Sequence, residues 1–305
     1  MVKNIIKNKL RYGENPNQDA YLLHDSKNSI FNYQISGKEI SYNNILDVDS
    51  GLRCLDEFNE PTSVIIKHTN PCGVASAKNI NKAFQKSFES DPKSAFGGII
   101  LLNRKVNEKL AKILIKNFFE MIVSPGFDKA ARKILTLKKR LILLKIPKFK
   151  KFIIEHRSTI FGDLYQSKDL IPINQKFLKL VSKNKASLKS KEDLLFAIKV
   201  VKHLKSNSIV LARNKQTIGI GNGQTNRVDS LKFAIKNRDT YFKKKLFVCA
   251  SDGFFPFTDS IKLLNKKGCD VIAQPSGSIN DKKIIDYADE NKISLYYSKN
   301  RLFKH

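Results

Sequence analysis

Gln216-Thr217-Ile218-Gly219-Ile220-Gly221-Asn222-Gly223-Gln224-Thr225-Asn226-Arg227 joins a β-branched run to a polar, glycine-containing turn, and then to helix-spaced residues over about 227–237. That order reads as strand, turn, helix. The same unit recurs downstream. Residues 246–250 lead through Ser251, Asp252 and Gly253 toward a helix ending near Gly268. Residues 271–273 lead through Pro275, Ser276, Gly277 and Ser278 into a helix over 281–291. Upstream, residues 63–66 read as a buried strand, with Asn70 as an N-cap, Pro71 as the first helical residue and Cys72 onward as the helix start. Alternating strands and helices with short turns imply α/β layers, and such folds place ligands beyond the strand ends.

The middle of the chain differs. Residues 128–155 are rich in lysine around an apolar run at 141–146 and Pro147, followed by the basic run 148–154. Pro147 argues against one continuous amphipathic membrane-surface helix. The stretch reads as a core strand or helix flanked by solvated lysines, joining two halves of the chain.

The 305 residues, 41% of them hydrophobic, can bury a large core, and the 14 glycines and 9 prolines fall mostly between apolar runs. The formal charge is +28, but only ten of the 56 basic residues are arginines, and the lysines are spread over the whole length. Arginine is the residue that reads bases and grips phosphate bidentately, so diffuse lysine reads as a solvated surface rather than a nucleic-acid footprint. Cys54, Cys72, Cys249 and Cys269 form no Cys-x-x-Cys pair, which makes structural zinc improbable. Residues 1–9 have the form of neither a signal nor a transit peptide, and no apolar run approaches membrane-spanning length; the expected compartment is a reducing cytoplasm.

Chemistry-bearing residues fall at the strand ends. In Lys67-His68-Thr69-Asn70-Pro71-Cys72-Gly73 a cation and a titratable imidazole emerge where a strand gives way to the expected helix start, whose free N–H groups would stabilise negative charge. Arg11 and Tyr12 project from a turn at 10–18 and could hold a phosphate and stack on a heterocycle. Ser206-Asn207-Ser208 precedes the glycine-rich turn that ends at Arg227; the spacing Gly219, Gly221, Gly223 is not a dinucleotide fingerprint. Ser251-Asp252-Gly253-Phe254-Phe255-Pro256-Phe257 sets aromatics on an irregular segment, where they can wall a flat ring, with at least one expected to plug the core.

Taken in order, these segments resemble a known family. Arg-Tyr-Gly-Glu-Asn-Pro at 11–16, Lys-His-Thr-Asn-Pro-Cys-Gly-Val-Ala at 67–75, Asp-Pro-Lys-Ser-Ala-Phe-Gly-Gly at 91–98, Lys-Ser-Asn-Ser at 205–208, Gly-Ile-Gly-Asn-Gly-Gln at 219–224, Ser-Asp-Gly-Phe-Phe-Pro-Phe at 251–257 and Arg-Leu-Phe-Lys-His at 301–305 are similar to motifs of the phosphoribosylaminoimidazolecarboxamide (AICAR) formyltransferases, the transformylase domains of bifunctional purine-biosynthesis enzymes. The resemblance covers nearly the whole chain. It implies formyl transfer from 10-formyltetrahydrofolate to the 5-amino group of the AICAR nucleotide, in purine (IMP) biosynthesis. Lys67, His68 and Asn207 would be catalytic. Arg11, Tyr12, Asn44, Phe96, Gly97, Arg227, Phe254 and Arg301 would bind substrate, the arginines reaching the nucleotide's phosphate or carboxamide edge. Phe96 and Gly97 with Pro256 and Phe257 would line the folate pocket, Ser124 and Pro125 lying nearby.

The same resemblance implies an α/β fold of two cytidine-deaminase-like three-layer units without zinc. The first unit would span 1–128, a connecting region 129–190 and the second unit 191–305. It implies a homodimer with shared active sites and leaves a monovalent cation open; neither nucleic acid nor membrane is an expected partner. The N-terminal IMP cyclohydrolase domain of those enzymes has no counterpart, so no ring closure is expected of this chain. Two departures stand out: Thr258 where the family has arginine in Phe-Pro-Phe-Arg-Asp, and Thr159-Ile160-Phe161-Gly162-Asp163 in place of a glycine-rich stretch. The competing readings are a nucleic-acid-binding basic protein, which predicts clustered arginine, and a non-catalytic relative, which predicts loss of the Lys-His pair or the binding arginines. Those residues are all present.

Overall fold

The structure, a computed structural model, describes residues 5–25, 29–147, 154–242 and 246–305. Strands β1 (Ile5–Lys9) and β2 (Tyr21–Asp25) form a separate antiparallel hairpin. Then come β3 (Gln34–Ser36), α1 (Tyr42–Leu55), β4 (Thr62–Lys67), β5 (Asn70–Ser76), α2 (Ile80–Ser90), the single turn α3 (Pro92–Ala95), β6 (Ile99–Leu102), α4 (Glu108–Leu114), β7 (Met121–Ser124), α5 (Lys129–Leu135) and β8 (Ile142–Lys145). A second free hairpin, β9 (Ile154–Thr159) and β10 (Gly162–Ser167), precedes β11 (Leu178–Leu180), α6 (Leu188–Val201), β12 (Ile209–Arg213), β13 (Gln216–Gly221), α7 (Arg227–Tyr241), β14 (Phe247–Ser251), α8 (Asp259–Lys266), β15 (Cys269–Pro275), α9 (Asp281–Glu290) and β16 (Ser294–Ser298).

One twelve-stranded mixed sheet runs β11-β16-β15-β14-β12-β13-β5-β4-β6-β7-β8-β3. Its two halves repeat one order of elements. In each, a helix leads into an antiparallel hairpin (β4–β5, β12–β13), the first hairpin strand pairs antiparallel with the next strand (β6, β14), and two parallel strands follow. An antiparallel edge strand, β3 or β11, closes each half. The halves meet at one backbone pairing, Gln216 with Ala75, reinforced by the Thr217 hydroxyl, which receives the Val74 N–H at 3.0 Å and donates to the Val74 carbonyl at 3.2 Å. The stretch 129–190 contributes α5 and β8 to one half and β11 to the other; residues 148–153 of its basic run lie outside the described residues.

Strand alternation explains the layers. Ile66, Leu101, Val123, Val210, Ala250 and Ala273 face α1 and α6 in one core that spans both halves. Their neighbours Ile65, Ile100 and Ile122 face α2, α4 and α5, while Ile209, Leu211 and Ile272 face α7, α8 and α9. Helices therefore cover both faces. Helix α7 lies close on β13 because Gly219 and Gly221 carry no Cβ; an added one would sit 2.2 Å from the Ala234 carbonyl oxygen and 1.9 Å from that of Ser230.

The three strand–turn–helix units of the second half stand as expected from sequence, in α7, α8 and α9. The unit at 63–73 does not. Asn70 and Pro71 open strand β5, not a helix, and His68 and Thr69 form a two-residue hairpin tip with φ of 50° and 64°. The tip is held from outside: Asp47 on α1 accepts the Thr69 N–H at 2.6 Å, and Ser50 donates to the Thr69 carbonyl at 2.5 Å. The second half repeats the device, with Asp193 on α6 accepting the N–H groups of Asn214 and Lys215, both at 2.7 Å.

Where α1 and α6 end, Glu57 meets His203 at 3.2 Å and Lys202 at 3.2 Å. Burial disfavours the His203 imidazolium and outweighs the Glu57 contact, so its pKa lies below the ordinary 6.5. Burial also opposes the Glu57 carboxylate, but bonds from His203 and Lys202 outweigh it and hold the group below 4.5. Both groups bind protons more readily in the unfolded chain, so each contributes stability that is complete above its ordinary pKa and lost as pH falls through its folded value. Thermal unfolding followed against pH should show Tm declining below pH 6.5 and again below pH 4.5, and His203→Gln should remove the upper part of that decline. A parent Tm that stays level through the upper window would contradict this.

Candidate active site

Strand directions decide which candidate residues share an edge. Strand β4 runs antiparallel to β5 and β6, β13 antiparallel to β5, β12 antiparallel to β13, and β14 antiparallel to β12, with β15 and β16 parallel to β14. The carboxyl ends of β4, β13, β14, β15 and β16 therefore lie at one edge of the sheet, together with the starts of β5, β6 and β12. That edge collects two groups of side chains.

The first group surrounds the β4–β5 tip. The His68 side chain is exposed, and the Asn70 side chain donates to the His68 carbonyl at 2.9 Å. Lys67 Nζ donates to the Phe96 carbonyl at 2.5 Å. Gly97, at φ 67°, donates its N–H to the Phe118 carbonyl at 2.9 Å, and the exposed rings of Phe96 and Phe118 lie 5.1 Å apart. Because His68 caps a hairpin and not a helix, the segment that follows it supplies no helical N–H groups, and Lys67 is the cationic donor next to it in the chain. Asp47 stands under the tip with its carboxyl raised above the usual range, burial outweighing the Thr69 N–H and the nearby His68 and Lys67 charges. The neighbouring thiol is no nucleophile: burial pushes Cys72 up to about 12.

The start of α1 reaches the same edge, since Asp47 and Ser50 along it bind the tip. Asn44 is 5% exposed there and completes a capping box, its side chain accepting the Ser41 N–H at 3.1 Å while its own N–H bonds Ser41 Oγ at 3.2 Å. Asn43 next to it donates to the Glu14 carbonyl at 3.1 Å, which ties down the turn that carries Arg11 and Tyr12. The Arg11 guanidinium lies 5.5 Å from the Tyr12 ring centre.

The second group surrounds the start of α7. Arg227, its first residue, is buried and donates to Asn207 Oδ1 at 2.7 Å, to Ser251 Oγ at 2.9 Å and to the Asp252 carboxylate. Asn207 in turn donates to the carbonyls of Gln224 at 3.0 Å and Thr225 at 3.3 Å. Gly253 is needed where it stands, as a Cβ would sit 2.3 Å from the Arg227 guanidinium and 2.7 Å from the Phe303 ring. Arg301 lies 4.9 Å from the Phe303 ring centre, and the Leu302 N–H bonds the Asp252 carbonyl at 2.9 Å, so the last residues close over this group. Phe255 is fully buried and plugs the core, as expected of one aromatic in that segment, while Phe254 and Phe257 are exposed and the Pro256 carbonyl accepts from Asn280 at 2.8 Å.

Ser124 and Pro125 are elsewhere. Strand β6 reverses direction against β4, so the carboxyl end of β7 lies at the opposite edge. There Ser124 Oγ donates to the Gly126 carbonyl at 2.7 Å, and Pro125 lines a separate cleft of roughly 330 Å³ with Lys105, Phe127 and Lys145. Sequence reasoning passed over Asp47, Phe118, Phe303 and Glu120, the last paired with Lys38 and tied by its backbone to Gly98, whose carbonyl accepts its N–H at 3.0 Å, and to Ile142, whose N–H donates to its carbonyl at 3.2 Å. The Ser41-x-x-Asn44 spacing was a readable signal for the capping box; Asp47 had none without the hairpin.

Among the described residues no group of three or more His, Cys, Asp or Glu side chains could hold a metal ion, and no helix is long and apolar enough to cross a membrane. What the edge offers is an imidazole beside an ammonium, a buried guanidinium–carboxylate–amide network, and exposed aromatics. Such a set can move a proton, hold an oxyanion and seat a flat anionic heterocycle.

A family model described as AICARFT/IMPCHase bienzyme matches residues 2–237. The bifunctional purine biosynthesis protein PurH of Caldicellulosiruptor bescii is 47% identical over 304 residues, which is 97% of this chain and 59% of that protein. Those of Persephonella marina and Buchnera aphidicola subsp. Baizongia pistaciae are each 45% identical over 98% of this chain, covering 59% and 58% of their own lengths. The chain thus spans about three fifths of the length of these relatives.

Proposed function

The chain belongs to the AICARFT/IMPCHase bienzyme family, and on that premise we propose that it transfers the formyl group of 10-formyltetrahydrofolate to the 5-amino group of AICAR, giving FAICAR and tetrahydrofolate in the cytoplasm. The observation that carries this reading is the gathering at one sheet edge of Lys67 and His68 with Asn207 and Arg227.

The acceptor amine is a weak nucleophile, its lone pair delocalised into the ring and carboxamide. As the nitrogen attacks the formyl carbon, His68 takes the amine proton. Lys67 stabilises the oxyanion that forms on the formyl oxygen, and Asn207 joins it as a second donor by exchanging its weaker bond, the 3.3 Å one to the Thr225 carbonyl, for one to that oxygen. Collapse expels N10 of the folate, which receives a proton, so one N–C bond forms, one breaks and one proton moves from acceptor to leaving group. Arg11, Tyr12, Arg227, Phe254 and Arg301 hold the nucleotide in this reading, with Phe96, Gly97, Pro256 and Phe257 around the folate. Asn44 contributes by capping the helix that carries Asp47. Ser124 and Pro125 are not assigned to this pocket.

Strands β5 and β13 stand between the two groups, so three strand spacings of about 4.8 Å separate β4 from β12. That separation supports a homodimer in which each site draws its two groups from both chains. We read the two half-sheets, each with helices on both faces, as cytidine-deaminase-like units. The residues present also fit a monovalent cation: the Asp252 Oδ2 and Ser208 Oγ atoms are fully buried, without a hydrogen-bond partner among the described residues, on strand ends joined by the Asp252 N–H to Ser208 carbonyl bond of 3.2 Å. Such an ion would supply countercharge to the Asp252 carboxylate beside Arg227.

The test is tetrahydrofolate release followed by absorbance, with the aminoimidazole nucleotide present and absent. Release should require the nucleotide; release indifferent to it would point to another acceptor.

A further inference from the structure

Lys67 aims its ammonium at a backbone oxygen, the Phe96 carbonyl, 2.5 Å away. Where that carbonyl sits depends on the link between α3 and β6, which is fixed by the Gly97 N–H to Phe118 carbonyl bond of 2.9 Å, the Gly98 N–H to Ala95 carbonyl bond of 3.0 Å, and the start of α3. A helix of four residues does not hold itself together, because one turn costs more conformational entropy than its hydrogen bonds return. Its start is held by Asp91. One carboxylate oxygen accepts the Ser94 N–H at 3.0 Å, and the other accepts the Ser94 hydroxyl at 2.7 Å.

The same carboxylate reaches into the other half of the molecule. Asn237 Nδ2 donates to Asp91 Oδ2 at 3.1 Å, and the Tyr241 hydroxyl lies by the same carboxylate, burial and the Asp91 charge raising its pKa above the ordinary value. Asn237 and Tyr241 are one turn apart on the same face of α7. The first residue of that helix is Arg227, which holds Asn207. One rigid helix thus touches both groups of the candidate site, at its start directly and near its end through Asp91.

We propose that Asp91 is a positioning residue for Lys67: pinned by Asn237, with Tyr241 beside it on the same helix face, it fixes α3 and with it the Phe96 carbonyl that aims the Lys67 ammonium. Among the described residues neither partner residue shares a hydrogen bond or ion pair with Lys67, whose ammonium bonds the Phe96 carbonyl, so an effect of removing them on that ammonium travels through the α3–β6 link. The geometry stands independently of the reaction; only its kinetic consequence rests on the proposed formyl transfer.

The experiment compares Asn237→Leu, Tyr241→Phe and the double variant with the parent by two readouts. The first is the rate at which trinitrobenzenesulfonate labels Lys67, measured by peptide mass spectrometry against Lys9 as internal reference. Loosening the Phe96 carbonyl should raise the relative rate roughly fivefold in the double variant, the factor one net hydrogen bond contributes. The second is formyl transfer, where kcat should fall on the order of tenfold or more while both KM values stay within about threefold, since misplaced catalytic groups cost turnover more than binding. Tyr241→Phe, which removes one exposed-side hydroxyl, should show a smaller change of the same sign and serves alone if Asn237→Leu does not fold. Unchanged Lys67 labelling in folded variants overturns the proposal, whether or not kcat falls. Raised labelling in a protein that transfers no formyl group upholds the latch and rejects the activity instead.

Discussion

Replacing His68 by Asn should reduce formyl transfer by a factor of about 10²–10⁴ while nucleotide affinity and Tm stay near the parent's, the range a positioned general base contributes. Asparagine is the informative substitution because His68 sits at φ 50°. Asn tolerates that left-handed conformation, whereas Ala would add roughly 1–2 kcal/mol of backbone cost and confuse a chemical loss with a structural one. The exposed imidazole supports no core contact, so little stability is at stake. Single-turnover kinetics with saturating folate separate the chemical step from binding. Parental turnover in His68→Asn would remove the imidazole from the mechanism.

The second large effect concerns Gly221. Its backbone lies under α7 so closely that a Cβ would meet the Ser230 carbonyl oxygen at 1.9 Å, and backbone cannot swing aside as a side chain can. Gly221→Ala should destabilise the protein by about 3 kcal/mol, the upper part of the range for overpacked cores, and lower Tm by roughly 6–12 °C. It should also weaken nucleotide binding, because the helix that must shift begins with Arg227. Gly223 is the control two residues on: at φ 67° with nothing within 4 Å of an added Cβ, its substitution by Ala should cost only the backbone conformation, about 1 kcal/mol. Denaturant unfolding of the two variants distinguishes these cases, and equal losses would refute the close-approach argument.

The second half of the fold was readable because its punctuation is local. Gly221, Gly223, Gly253 and Gly277 interrupt short apolar runs just where strands give way to turns, and each following helix has its own polar start. The β4–β5 hairpin was misread for the opposite reason. Asn70-Pro71 is sound chemistry for a helix start, while the true turn residues, His68 and Thr69, include no glycine and place a β-branched residue at φ 64°. What stabilises that turn is Asp47, twenty-two positions away in sequence and invisible to any local pattern. The repeat itself held a clue, since Asp193 with Asn214 and Lys215 forms the same device around an Asn-containing turn that is easier to recognise.

The candidate residues were legible from ordered motifs, but their grouping was not. Ser124 and Pro125 sit at the far edge because β6 pairs antiparallel with β4, a choice of partner that no stretch of sequence specifies. Asn44 is turned inward to cap α1. Conversely, Arg227 and Asn207 lie twenty residues apart in sequence and become one network only because β12 and β13 fold back on each other.

In the proposed reaction the carbon leaves the folate and arrives on the aminoimidazole nitrogen at this edge. Supplying 10-formyltetrahydrofolate labelled with ¹³C at the formyl carbon, together with AICAR and catalytic amounts of the protein, should yield a ¹³C-formamido nucleotide in step with tetrahydrofolate, and His68→Asn should suppress both equally. Label that remains on the folate, or that appears as free formate at the same rate with and without the nucleotide, would contradict it.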